Sequence, residues 1–88
     1  MSNPTVYRYP KQVIHNPDGS HLLIERSLRQ NGDVSIIVKV RDSTGHHLVL
    51  YHLVYDRTGN RVHGPHEISG SRDPSYQDDF PGGITREP

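Results

Sequence analysis

Apolar and polar residues alternate along most of the chain, and short turns separate the alternating runs. Between Asp33 and Asp42, β-branched side chains occupy every second position, at Val34, Ile36, Val38 and Val40. A period of two residues is typical of a strand, because successive side chains of a strand point to opposite faces. The preceding segment repeats the pattern with Leu22, Ile24 and Leu28. These two runs therefore predict neighbouring strands with one apolar face each.

Four turns punctuate the chain at an interval of about 13 residues. Each ends in a glycine that closes a short Asn-, Asp- or Gln-containing stretch, and these glycines are Gly19, Gly32, Gly45 and Gly59. Glycine adopts positive φ at no steric cost, and Asn, Asp and Pro favour turns. Turns at this spacing between strand-length runs predict one hairpin after another. We therefore predict a mainly β fold, an antiparallel meander of four to five strands.

The length of each turn determines which residues face one another. A two-residue loop at Asn31-Gly32 would place the apolar rows of the flanking strands on opposite faces. A three-residue loop brings both rows to one face, so we predict a type I turn with a bulge at Gly32. The same geometry is expected at the first turn. The pairs that these turns predict are Leu28–Val34, Ile24–Val38, Ile14–Leu22 and Lys11–Glu25.

The segment from His46 to Tyr55 is apolar on both faces. One face carries Leu48, Leu50 and Val54, and the other carries Val49, Tyr51, Leu53 and Tyr55. A strand with two apolar faces is usually covered twice, and the sequence offers no long amphipathic helix as a second cover. Either a partner chain covers the second face or the sheet coils strongly and leaves an aromatic face exposed. We expect the partner chain, and hence a homodimer.

The chain changes character after Val62, where Gly64-Pro65 is expected to end the last strand. One short C-terminal helix is an alternative to a loop near Asp73-Pro74, since Asp suits a helix N-cap and Pro the first turn. We expect chain ends to be poorly ordered. The expected divisions are a flexible N-terminus over residues 1–4, a β-meander domain over 5–68, a loop or short helix over 69–80, and a disordered tail over 81–88.

Composition narrows the classes of protein to consider. At 88 residues and 31% apolar side chains, the chain forms one domain with a thin core, which self-association would stabilise. The absence of Cys excludes disulfides and thiolate–zinc sites. No apolar run reaches the roughly 20 residues of a membrane helix, and residues 1–9 lack a signal-peptide core. We therefore expect a cytoplasmic protein that makes no contact with membranes.

Charge bears on nucleic-acid binding. Ten cations balance ten anions, which disfavours a broad, non-specific grip on phosphates. Most of the cations are Arg, whose guanidinium suits bidentate phosphate contacts. Arg57 and Arg61 flank the last of the four turns, where they would bind phosphate or, more simply, supply solubilising charge.

The stretch His63-Gly64-Pro65-His66-Glu67 is the strongest candidate for chemistry. A tight turn there would bring the two imidazoles within a few ångströms, where one could act as base and the other as acid in phosphodiester cleavage. A metal site that includes Glu67 and a solvated polar turn are the alternatives. The candidate catalytic residues are His63, His66, Arg57 and Arg61, and we expect no metal and no cofactor.

One further histidine lies in the middle of the doubly apolar segment. His52 is more simply explained as a buried or interface histidine than as a ligand. A cluster becomes feasible if the sheet brings His52 towards His63.

The order of features from Leu48 to Ile68 resembles the TumE-type toxins of prokaryotic toxin–antitoxin pairs and their small relatives. The resemblance lies in an apolar-aromatic strand, the Tyr55-Asp56 step and the His63-to-His66 turn. These toxins are similar in size and begin with a β-meander, but their C-terminal part is longer and helical. The resemblance implies a growth-inhibiting, RNA-cleaving enzyme that an antitoxin partner inhibits. The alternative function is a non-catalytic, homodimeric protein-interaction module that binds through a sheet edge or face.

Overall fold

The structure is a computed structural model that describes residues 4–70 and 84–88, and for residues 65–70 it describes the backbone. Within these residues the chain forms one antiparallel sheet and no helix. The strands are β1 (Thr5–Arg8), β2 (Gln12–His15), β3 (His21–Arg29), β4 (Val34–Arg41), β5 (His47–Tyr55) and β6 (Arg61–Gly70). Their order is β1-β3-β4-β5-β6, and β2 pairs with β3 beside β1. The predicted antiparallel β fold is confirmed.

Two short strands share one edge of the sheet, which gives one strand more than the sequence predicted. β1 pairs with the C-terminal half of β3 and β2 with its N-terminal half. Pro10 lies between them and has no N–H to donate to a strand ladder. Tyr9 N–H still donates to the Arg26 carbonyl at 3.0 Å, so the chain stays against β3 across the interruption.

All four predicted turns have the same geometry. Each glycine has φ close to +90°, and its N–H donates at 3.0 Å to the carbonyl three residues earlier. This is the type I turn followed by a glycine bulge that was predicted at Gly32 and Gly19, and the turns at Gly45 and Gly59 share it. The predicted register is confirmed as well, because the structure pairs Leu28 with Val34, Ile24 with Val38 and Ile14 with Leu22. Lys11 Nζ lies 3.3 Å from Glu25 Oε1.

One face of the sheet, called the core face here, is almost completely buried. It consists of Leu22, Ile24 and Arg26 in β3, Val34, Ile36, Val38 and Val40 in β4, and Val49, Tyr51 and Leu53 in β5. The partly buried side chains packed against this core are Tyr9, Ile14, Leu28, Leu48 and Tyr55. The period of two therefore identified the core residues of β3 and β4 correctly, with Arg26 as the charged exception, and the structure assigns Val49, Tyr51 and Leu53 of β5 to the same face.

The opposite face, called the outer face, mixes polar and apolar residues. It includes Leu23, Glu25, Ser27 and Arg29 in β3, Ser35, Ile37 and Lys39 in β4, Leu50, His52 and Val54 in β5, and His63 in β6. Leu50 and Val54 are half-buried. β5 is thus apolar on both faces, as predicted, although its outer face also carries a histidine.

The last strand continues through Gly64-Pro65, so the prediction that this pair ends the strand is wrong. β5 and β6 pair at Val54 with His63 and at His52 with His66. Three steps along β6 therefore match two steps along β5, which defines a β-bulge. Gly64 adopts a φ of +83°, a conformation that glycine tolerates. A bulge is also one of the few places where a sheet accepts proline.

The C-terminal residues 84–88 lie against the core face, which differs from the predicted disordered tail. Ile84 is only 8% exposed and belongs to the core cluster. The Tyr55 hydroxyl donates to the Ile84 carbonyl at 3.0 Å, and Arg26 Nε donates to the Thr85 carbonyl at 3.0 Å. Arg86 binds two turns, through the carbonyls of Gly32 and Asp56.

Other predictions for the chain ends concern residues outside the described part. The short helix predicted near residues 73–80 and the start of the predicted tail at residues 81–83 fall there, as do residues 1–3. Ser69 and Gly70, which were assigned to a loop or helix, belong to β6.

Candidate functional site

Two imidazoles lie beside each other on the outer face, next to the bulge in β6. The ring centroids of His52 and His63 are 5.3 Å apart, and the ring planes are inclined by 54°. His63 pairs with Val54, two residues along β5 from His52, so the two histidines are diagonal neighbours on adjacent strands. His63 is exposed and His52 is half-buried. A ligand can therefore reach this pair from solvent.

The hydroxyl of Ser35, in the neighbouring strand β4, orients the ring of His52. Ser35 Oγ in β4 lies 2.8 Å from His52 Nε2, in a hydrogen bond whose donor depends on the tautomer of the ring. Ser35 is 8% exposed, so its oxygen is poorly placed to attack a substrate. We therefore assign it the role of positioning His52.

The structure brings together only some of the candidate residues from the sequence. His63 lies on the outer face, and the backbone register places His66 opposite His52. Arg61 pairs with Tyr55, whose side chain packs on the core side, so Arg61 is on the other side of the sheet from His63. Arg57 borders a shallow hollow of about 490 Å³ beside the C-terminal segment. Neither arginine accompanies the His52–His63 pair.

A cleft of about 430 Å³ opens on the outer face, between His52 and the edge strands. Arg8 and Lys11 reach it from the edge, and Arg29 reaches it from β3. Ser27, Ser35 and Thr5 add hydroxyl groups, and Ile37 adds apolar surface. Tyr9 borders the cleft, but its side chain packs against the core. His52 belongs both to this lining and to the imidazole pair, so the two features adjoin.

The cleft has a positive charge because its carboxylate is neutralised. Glu25 lies 3.3 Å from Lys11 Nζ and 3.4 Å from Lys39 Nζ. Partial burial raises the pKa of Glu25, but the two lysines outweigh this effect and hold the pKa below its ordinary value. The carboxylate therefore stays ionised and paired at neutral pH. Arg8, which lines the same cleft, supplies charge beyond that of this cluster.

Arg26 also borders the cleft, but its guanidinium is turned to the core side. It donates to Gln12 Oε1 at 2.7 Å and to the Thr85 carbonyl at 3.0 Å. Burial lowers the pKa of Arg26 from its usual value. Arg26 therefore holds the edge strand and the C-terminal segment together, and we do not count its charge as part of the cleft.

Sequence reasoning missed the cationic lining and Ser35. A signal was present in the register. The predicted pairing of Lys11 with Glu25 already placed Lys11 on the same face as Glu25, which is the outer face. The polar residues Ser27 and Ser35 occupy positions that the apolar alternation leaves to that same face. Following these positions across the strands to His52 would have outlined the cleft.

No protein-family model matches the chain, and no curated protein and no solved structure matches it either. In the part of the chain that the structure describes, no group of three or more His, Asp or Glu side chains could hold a metal ion. The alternative metal site of His63, His66 and Glu67 includes side chains outside that part. Among residues 4–70 and 84–88, no helix has the length and apolar character needed to cross a membrane.

Proposed function

We propose that this protein cleaves RNA by acid–base catalysis, with His52 and His63 as the catalytic pair. The observation that carries the proposal is the 5.3 Å separation of the two ring centroids at the border of a cationic cleft. Imidazoles titrate near neutral pH, so two of them can act as a base and an acid together. His66 remains a candidate for one of these roles because the backbone register sets it opposite His52.

The chemistry requires one neutral and one protonated imidazole. The neutral ring takes the proton of the ribose 2′-hydroxyl, and the 2′-oxygen forms a bond to phosphorus. The bond from phosphorus to the 5′-oxygen breaks, and the protonated ring gives its proton to that oxygen. The products are a 2′,3′-cyclic phosphate and a 5′-hydroxyl end. Cations of the cleft would stabilise the extra negative charge on the phosphoryl oxygens.

The test measures cleavage of a fluorescent RNA oligonucleotide by the purified protein in the presence of a chelator. We expect His52→Ala and His63→Ala each to lower the rate by about 10²–10⁴-fold. His15→Ala is the matched control, because it removes an exposed imidazole at the far end of the same sheet. Cleavage of the corresponding DNA should be absent, since DNA lacks the 2′-hydroxyl. Full activity of His63→Ala would reject the proposal.

The two arginines assigned from the sequence need a separate test. Arg57→Gln and Arg61→Gln should leave the rate of RNA cleavage unchanged, because Arg61 lies on the other side of the sheet and Arg57 at the end of a hairpin. A loss comparable to that of the histidine variants would restore the original assignment of Arg57 and Arg61.

We also propose that this activity is toxic and that a partner protein inhibits it, as the resemblance to toxin–antitoxin proteins implies. Induced expression of the wild-type chain in a bacterial host should arrest growth, whereas His63→Ala should not. Equal growth of the two strains at equal protein levels would count against a toxin.

A homodimeric interaction module is the second candidate. The observation in its favour is the exposed apolar surface along the edge strands, where Val6 is 57% exposed, Tyr7 49% and Val13 47%. An edge strand can pair with another strand through its backbone. Light scattering should then report a dimer at tens of micromolar, and Val6→Lys should weaken it. A monomer at that concentration would contradict this candidate.

A further inference from the structure

We infer that the cleft beside His52 is a phosphate-binding subsite, which holds the nucleotide next to the scissile bond of a single-stranded RNA. The inference rests on the proposed function, since His52 borders both the cleft and the catalytic pair. It adds the substrate class and the residues that recognise it, which the imidazole pair alone does not specify.

Two arginines from different strands converge on the cleft because of the register at the sheet edge. Thr5 pairs with Arg29, and Arg8 pairs with Ser27, so both guanidinium groups belong to the outer face. Arg29 Nη1 donates to Thr5 Oγ1 at 3.1 Å, which orients its planar group. Arg8 is exposed, and no ion pair joins it to another of the described residues. A planar guanidinium of this kind is suited to bidentate binding of a phosphate.

The division of charge in the cleft favours an anionic ligand. Lys11 and Lys39 both bind Glu25, so the lysines satisfy the carboxylate and Arg8 keeps its positive charge for a ligand. A metal cation or an amine would meet this same positive field and be repelled. Among the described lining residues, hydroxyl groups of Ser27 and Thr5 are further donors near the arginines.

The size and the apolar part of the lining fit a nucleotide better than a bare phosphate ion. About 430 Å³ lies within the usual range of small-molecule sites. Ile37 adds apolar surface to the cleft, and a planar guanidinium such as that of Arg8 can stack on an unstacked base. Unstacked bases occur in single strands, which is why we assign this strand type.

The test measures binding without relying on cleavage. Calorimetry with uridine 3′-monophosphate, inorganic phosphate and a single-stranded oligothymidylate is carried out on wild type and on His63→Ala. We expect the nucleotide and the oligothymidylate to bind more tightly than phosphate, and Arg8→Gln to weaken both by about tenfold or more. Arg8→Lys should recover part of the affinity, because it restores charge without the planar donors.

Arg41→Gln is the matched control for these measurements. Arg41 pairs with His47, which lies five residues along β5 from His52 and therefore about 16 Å away. We expect this variant to bind the nucleotide as wild type does. Equal loss in Arg41→Gln and Arg8→Gln would overturn the subsite, and so would unchanged binding in Arg8→Gln. Phosphate binding as tight as the nucleotide would overturn the assignment to RNA.

The outcomes separate this inference from the proposed function. Nucleotide binding that depends on Arg8, in a protein that does not cleave RNA, would refute catalysis and keep the subsite. Cleavage that depends on His63 with a KM unaffected by Arg8→Gln would keep catalysis and refute the subsite.

Discussion

Ile84→Ala tests whether the C-terminal segment is part of the folded domain. Ile84 is 8% exposed and packs in the core cluster. The substitution removes three carbon atoms, and each buried methyl or methylene group contributes about 0.8 kcal/mol, so about 2.4 kcal/mol is lost. A residual cavity adds to this cost, although the chain near its end can relax into part of the space. We expect a loss of about 2–3 kcal/mol in the free energy of unfolding.

Urea unfolding, followed by circular dichroism and tyrosine fluorescence, measures this loss. For a domain of this size we expect the midpoint to fall by about 1–2 M, with an unchanged slope. Val62→Ala is the control, because Val62 is 58% exposed and its truncation should change stability by less than about 0.5 kcal/mol. Deletion of residues 84–88 should cost more than Ile84→Ala, since it also removes the acceptors of Tyr55 and Arg26.

The reasoning fails if Ile84→Ala shifts the midpoint no further than Val62→Ala does. The segment would then not pack on the core face, and the disordered tail expected from the sequence would be the better description. If Ile84→Ala lowered stability but deletion of residues 84–88 did not, that result would also contradict packing of this segment on the core face.

Three other predictions concern the turns and the bulge. Gly19→Ala should lower Tm more than Gly45→Ala: both glycines have φ near +90°, but a Cβ at Gly19 would lie 2.9 Å from Ser43 Cβ, whereas one at Gly45 meets nothing within 4 Å. Equal losses would show that backbone strain alone sets the cost. Gly64→Ala should lower stability by about 1–2 kcal/mol, because its φ is +83°, and should also slow RNA cleavage by displacing the adjacent imidazole; unchanged melting would argue against the bulge. Hydrogen bonds from the Thr58 hydroxyl and from nearby backbone N–H groups hold the pKa of Asp56 below its ordinary value. The stability that these bonds supply is therefore present above about pH 4 and lost as the pH falls below it, so Asp56→Asn should flatten the acid side of a stability-against-pH curve.

Much of the fold could be predicted because the signals are local. Alternation with a period of two assigns a face to each residue of a strand, and the Gly-containing turns set the register of the hairpins that they close. Leu28–Val34 and Ile24–Val38 followed from these two features alone and are confirmed. Pro10 interrupts the edge because it has no N–H to donate to a strand ladder, but the alternation and the glycine turns do not register this signal. The division into β1 and β2 was therefore beyond this reasoning.

The candidate site could be predicted only in part. His63 and His66 stood out as a motif, but the sequence suggested a turn where the structure has a bulge. A Gly-Pro pair is compatible with a turn and with a bulge. Which of the two forms depends on how β6 pairs with β5, and this pairing involves two strands together. The cleft is even harder to predict from local sequence, because Arg8 and Arg29 come close together only when β1 lies beside β3.

The sequence by itself determined the strand class, the type of the first two turns and the core side chains of β3 and β4, since each depends on residues that are close along the chain. Only the tertiary structure decided that His52 adjoins His63, that Arg8 shares a cleft with Arg29, and that Ile84 closes the core. These contacts join residues from separate strands or distant segments. They form because burying the core face brings those segments together, and no local pattern specifies that arrangement.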